Sequence, residues 1–297
     1  MSRNSKRFRV KTAIALLAAV AAEPLFAQSG LEKFATSNED NPQTINYGPI
    51  DEFIDAVSVK RGDRRNFRYS VLSDQGKPAL DAYISSLTGI TPTALSKREQ
   101  LTYWLNLHNL LVLRAVASEG GKRSLKRPRG EFDDPGELWT RKLVSVEGAP
   151  VSLDDIERRI VLANWSSEPN VMYGLYQGIE GGPAFEPPKT FSSETLDADL
   201  KSRGVAFVNE RRSVRVRRDS ARVPAIYEWY KASLFGGDDA QVLDHVKSLA
   251  TDDLADDLSG ATKVSYNKMD FGVEEEVVRQ QRIDTGAIGG GGGGGGS

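Results

Sequence analysis

The chain has 297 residues, with 39 Lys and Arg against 41 Asp and Glu, two histidines and no cysteine, for a formal net charge of −2 at pH 7. Without a thiol there is no disulfide and no cysteine nucleophile, and two histidines are too few for a histidine-rich zinc site, so no metal or cofactor is expected. The slightly acidic balance lacks the basic footprint that nucleic acid requires.

Residues 1–27 read as a secretory signal. Arg3, Lys6, Arg7, Arg9 and Lys11 precede an apolar run over 13–22, and small residues lead to a cleavage site near Ala27. The run is half the length of a membrane span, so no stable membrane insertion is expected after cleavage, and the destination is periplasmic or secreted. Cleavage takes five of the 39 basic residues and one of the 41 acidic ones, leaving 34 against 40. Residues 28–45 are polar and rich in Ser, Asn and Gln, which predicts a flexible entry segment. A single domain then runs over 46–278, and the glycine-rich segment 279–297, with its glycine run at 289–296, reads as a disordered tail.

Within the domain, helices are predicted over 50–57, 77–87, 97–118, 153–163, 193–203, 223–235 and 240–250. Ser96 and Glu99 have the spacing of a capping box for the third of these. Segments 142–146 and 150–153 alternate around Glu147-Gly148 as a hairpin, after which Ser152 caps the next helix with Asp154 and Asp155 at its positive end. Further short strands are predicted over 171–176 and 213–216. Helices outweigh strands, and the order predicts an α+β, predominantly helical single domain with a central buried helix and a small antiparallel sheet. The arginines 211, 212, 215, 217, 218 and 222 read as a solvated strand-and-turn face, with contact to an anionic glycan or lipid as the alternative.

The central helix, YWLNLHNLLVL from Tyr103, is apolar around its whole circumference, as a buried helix is. Asn106 and Asn109 inside it must be hydrogen-bonded, either to the backbone of neighbouring loops or around a pocket. His108 reads as a core histidine with a base as the alternative, and His245 as a solvent-facing one.

This segment resembles the FWINLYN signature of the domain of unknown function 547 family (DUF547). The resemblance continues through LDAYISSLTGITPTALSKREQ, VSLDDIERRIV, YGLYQGIEGGPAF, IYEWYKASLF and SYNKMDFGV, in order over 65–274. It implies comparison with thiol hydrolases, because family members carry a His after Ile-Glu and two Cys in the glycine segment before Pro. Here Arg158 stands at the His position, and Gln177 and Gly182 stand at the Cys positions ahead of Pro183. An always-charged guanidinium is no general base and glycine is no nucleophile. The reading is therefore a non-catalytic envelope binding or scaffold protein with a degenerate pocket lined by Asn106, His108, Asn109, Glu157, Arg158, Gln177, Gly182 and Pro183. Its partner would be an unidentified envelope ligand or protein. The alternatives are a thiol-independent hydrolase acting on peptidoglycan or peptides through Asp154, Asp155, Glu157 or Glu180, and a purely structural protein presenting Trp139, Trp229 and Tyr230.

Overall fold

The computed structural model describes residues 30–62, 64–185 and 188–276. The expected signal over 1–27 and the tail over 279–297 lie outside the described residues. The architecture is the expected α+β, predominantly helical one. It departs from the expectation in having three small sheets, two antiparallel hairpins and a three-stranded sheet, rather than one.

Helix α1 (Gly48–Val57) leads into the hairpin of β1 (Ser58–Arg61) and β2 (Arg64–Phe67). A helical run follows in which α2 (Tyr69–Val71) passes through a π-helical stretch, Leu72–Gly76, into α3 (Lys77–Thr88). The central helix α4 (Lys97–Ser118) has the predicted bounds, and everything from Glu99 to Ala117 is buried except Arg114. Beyond the short α5 (Lys126–Arg129) and α6 (Glu137–Thr140), β3 (Val144–Val146) pairs with β4 (Ala149–Val151) across the predicted turn. Glu147 and Gly148 take φ of 46° and 77°, the left-handed pair that matches strand twist in a two-residue hairpin. A π-helical stretch, Asp155–Val161, then runs into α7 (Leu162–Asn164). After α8 (Leu196–Asn209) come β5 (Arg215–Arg217), β6 (Ser220–Val223), α9 (Ala225–Leu234), α10 (Asp239–Leu249), α11 (Asp252–Ser259) and β7 (Lys263–Tyr266). β5 and β6 are antiparallel, whereas β7 joins β6 in parallel. Among the described residues no helix is long and apolar enough to cross a membrane.

Five expectations need correction. The segment expected to be flexible is docked over its described part. Leu31 and Phe34 are buried, the Phe34 ring meets Trp104 edge-on at 4.8 Å, and Gln100 donates to the Thr36 carbonyl at 2.8 Å. Its polar composition hides two apolar anchors three residues apart. Ser96 does cap α4 by accepting from the Glu99 amide, but Glu99 does not reach back; its carboxylate accepts from the Ile45 amide at 3.0 Å and fastens the same segment.

The strand expected over 171–176 is instead a 3₁₀ turn, Pro169–Gly174. A short buried apolar run has no periodicity to distinguish the two, and here proline sits at its helical start. Lastly, α8 starts later than predicted and continues through Gly204, where a Cβ would stand 2.6 Å from the Tyr173 ring; the glycine serves close packing there rather than a helix stop.

His245, expected to face solvent, is partly buried. Its ring stacks on Tyr173 at 5.8 Å, with Tyr173 Oη 2.9 Å from Nε2. Burial lowers its pKa from 6.5 to about 4. Between those two values the unfolded chain takes up a proton that the folded one resists, so stability falls as pH drops from about 6.5 to about 4, by up to about 3 kcal/mol, and no contribution remains above that window. Urea unfolding at stepped pH should show this loss in the wild type and lack it in His245→Gln; an identical pH profile in both would refute the assignment.

Candidate functional site

The resemblance points to the junction of α4, the π-helical stretch and the glycine segment, and the structure brings these three together. Ser152 begins the second of them with a reciprocal cap: the Asp155 amide donates to Ser152 Oγ at 3.1 Å, and the Ser152 amide donates to Asp155 Oδ2 at 2.9 Å. The wider turn that follows carries Glu157 inward, leaving 1% of it exposed, while its neighbour Arg158 emerges at the other side.

Glu157 is the hub of a buried polar network. Trp139 Nε1 donates to its Oε2 at 3.1 Å, Gln177 Nε2 reaches the same oxygen at 3.3 Å, and the Tyr230 hydroxyl donates to Oε1 at 2.8 Å. His108 Nε2 lies 3.8 Å from Oε2. Gln177, at one of the family's Cys positions, is fully buried and saturated. Its Nε2 also meets the Leu175 carbonyl at 3.2 Å and the Tyr230 hydroxyl at 3.0 Å, and its Oε1 accepts from Arg129. The Arg129 guanidinium is itself buried between the rings of Trp139 and Trp229, at 4.5 and 4.2 Å. It supplies the positive charge that a buried carboxylate needs nearby.

Asn106 and Asn109 act on loop backbone. Asn106 donates to the Phe191 carbonyl and accepts from the Phe191 amide, both at 2.9 Å. Asn109 donates to the Gly174 carbonyl and accepts from the Tyr176 amide, both at 3.0 Å, which sets the glycine segment against α4. These bonds fix the orientation of the Asn109 amide, so its Oδ1 also takes the proton of His108 Nδ1 at 3.2 Å. Burial holds the His108 pKa below the usual imidazole value, with Glu157 opposing. The neutral ring then turns an unpaired Nε2 acceptor toward Glu157, an arrangement with no proton to give and a carboxylate whose oxygens are already occupied.

The expected pocket is thus a packed interior. Asn106, His108, Asn109, Glu157, Gln177, Gly182 and Pro183 are all buried, and a Cβ at Gly182 would stand 3.0 Å from Gln177 Cβ. The two positions that the resemblance matches to cysteine are therefore in contact, and the small residue at 182 makes room for the large one at 177. Arg158 does not share this interior. It is half-exposed, donates to the Phe132 carbonyl at 2.8 Å, lies over the Phe132 ring and pairs with Asp154 at 3.7 Å.

The other acidic candidates are also engaged. Asp155 pairs with Lys142 and Arg159, and Glu180 with Arg212 at 2.6 Å. Trp139 and Tyr230 are buried and Trp229 is half-buried against Arg129, which takes them from the proposed interface. Arg129 escaped the sequence reading because nothing in Lys126-Arg127-Pro128-Arg129 separates one inward arginine from its solvated neighbours.

An open cleft of about 290 Å³ lies outside the glycine segment between Gly181, Arg212, Met269 and Asp270. Among the described residues no group of three or more His, Cys, Asp or Glu side chains could hold a metal ion.

No curated protein and no solved structure matches the chain. A family model does match, over a shorter span than the resemblance of 65–274, leaving IYEWYKASLF and SYNKMDFGV beyond its end. It covers α4, the Glu157 stretch and the glycine segment, so that over residues 92–208 the chain is similar to the family described as Protein of unknown function, DUF547.

Proposed function

We propose that this protein is an exported, non-catalytic member of its family, a binding or scaffold protein of the cell envelope. The observation that carries the reading is Gln177: at a position where the family resemblance places cysteine, an amide is buried and committed to Arg129, Glu157, Tyr230 and the Leu175 carbonyl. A side chain held by four partners stabilises the interior and offers nothing to a substrate. Gly182 beside it removes the second thiol position and provides the space that the amide occupies. Export rests on the sequence of residues 1–27.

Incubating the purified protein with peptidoglycan and with a mixed peptide library tests the first half. No new amine or reducing end should accumulate above the buffer rate, whereas turnover that disappears in Glu157→Gln would overturn the reading in favour of carboxylate catalysis. Cell fractionation with mass spectrometry of the N-terminus tests the second half. A product beginning near residue 28 in the periplasm or medium is expected, and a cytosolic chain retaining its first residues would remove the envelope role.

A further inference from the structure

The hairpin β5–β6 and strand β7 present one face that neither the core nor the polar network uses. Side chains at paired positions of adjacent strands share a face, and the register places Arg215 opposite Arg222, Arg217 opposite Ser220, Ser220 beside Lys263, and Arg222 beside Ser265. The outward face is therefore Arg215, Arg217, Ser220, Arg222, Lys263 and Ser265, while Ala221 and Val223 are buried on the other side. All four cations are exposed, and the three arginines and both serines line a depression of about 690 Å³ together with Arg218 and with Asp219, whose carboxylate is paired with Lys263.

Two features set this face apart from an ordinary solvated strand. Like charges directly opposite each other destabilise a sheet pair, yet Arg215 and Arg222 occupy such a position. Among the described residues none of Arg215, Arg217 and Arg222 has a carboxylate partner, although the neighbouring Arg64, Arg212 and Lys263 are each paired. A cost is thus carried by the free protein that a bound anion would relieve.

We propose that this face binds a phosphorylated saccharide, with a phosphomonoester seated between Arg215 and Arg222. Two guanidiniums carried at paired positions of adjacent strands, whose backbones lie ~5 Å apart, can both be neutralised by one dianion, whereas a carboxylate neutralises one of them. Phosphomonoesters carry about −1.5 to −2 at pH 7, which fits this pairing. Ser220 and Ser265 add hydroxyl donors for a hydrophilic chain. Half-buried Val216 is the one apolar side chain lining the depression, too little to anchor a membrane or the dry centre of a protein interface, which favours a hydrated glycan over either.

Titration calorimetry of the full chain with a phosphomannan oligosaccharide ending in a phosphomonoester tests this. Saturable binding is expected, at least tenfold weaker for the same oligosaccharide after phosphatase treatment and at least tenfold weaker for the R215S/R222S double variant. Arg211→Ser, outside this face, should bind as wild type. The double variant should melt at or above the wild-type temperature, because relieving the like-charge pair cannot cost stability. Absence of binding, equal affinity for the dephosphorylated sugar, or an Arg211→Ser loss as large as that of the double variant would overturn the proposal. So would a lowered melting temperature, which would make the arginines structural, or tighter binding to phosphatidylglycerol vesicles than to the oligosaccharide.

Discussion

Replacing Glu157 with alanine should destabilise the protein by about 3–5 kcal/mol, the loss associated with removing one partner from a buried charged network. The carboxylate accepts from Trp139, Gln177 and Tyr230 and is the acidic group nearest in this network to Arg129, which is held between two indole rings. Its removal strands the donors of Trp139 and Tyr230, takes one acceptor from Gln177, and takes from the buried Arg129 the carboxylate that acts on it most strongly. Glu157→Gln should cost less, since one carbonyl oxygen remains to accept, but it still removes the charge facing Arg129. Urea denaturation of the two variants beside wild type measures the difference. A loss below about 1 kcal/mol for the alanine variant would mean that the network is hydrated in solution and that the interior is open, which would reinstate the pocket.

The second large effect belongs to Asn106. Alanine at this position leaves both the amide and the carbonyl of Phe191 unpaired in the interior, and two such groups cost about 2–4 kcal/mol together. The effect is local as well as global, because residues 188–191 are the lead into α8. Hydrogen exchange at the Phe191 amide should change from protected to fast in Asn106→Ala while the amides of α4 stay protected. Uniform loss of protection along α4 would instead place Asn106 in the stability of the helix itself.

Both predictions concern residues visible in the sequence, though their partners were not. Asn106 and Asn109 stand out because polar amides interrupt a helix that is apolar on every side, and burial then obliges them to find partners. Which backbone groups they meet depends on two segments, 174–176 and Phe191, brought back from 65 or more residues away. Glu157 reads from the sequence as an ordinary helix carboxylate, and the wider π-helical turn that carries it inward leaves no periodic signal. Comparison of the family positions likewise directs attention to Arg158. In the structure it is the neighbour Glu157 that meets Gln177, with His108 beside it, because the side chain turned inward is set by the rotation of the turn and not by adjacency along the chain.

The sequence by itself determined the absence of thiol chemistry, the predominance of helix, the bounds of α4, the Glu147-Gly148 hairpin and the family resemblance over 92–208. Each of these follows from composition or from interactions among residues within a few positions of one another. Only the tertiary structure decided that residues 31–45 are docked, that 169–174 form a 3₁₀ turn, and that Gln177 is a saturated amide packed beside Gly182. It alone placed Arg215 against Arg222. Those outcomes depend on contacts between distant segments, where burial, steric room and the pairing of polar groups override the local preferences that a sequence displays.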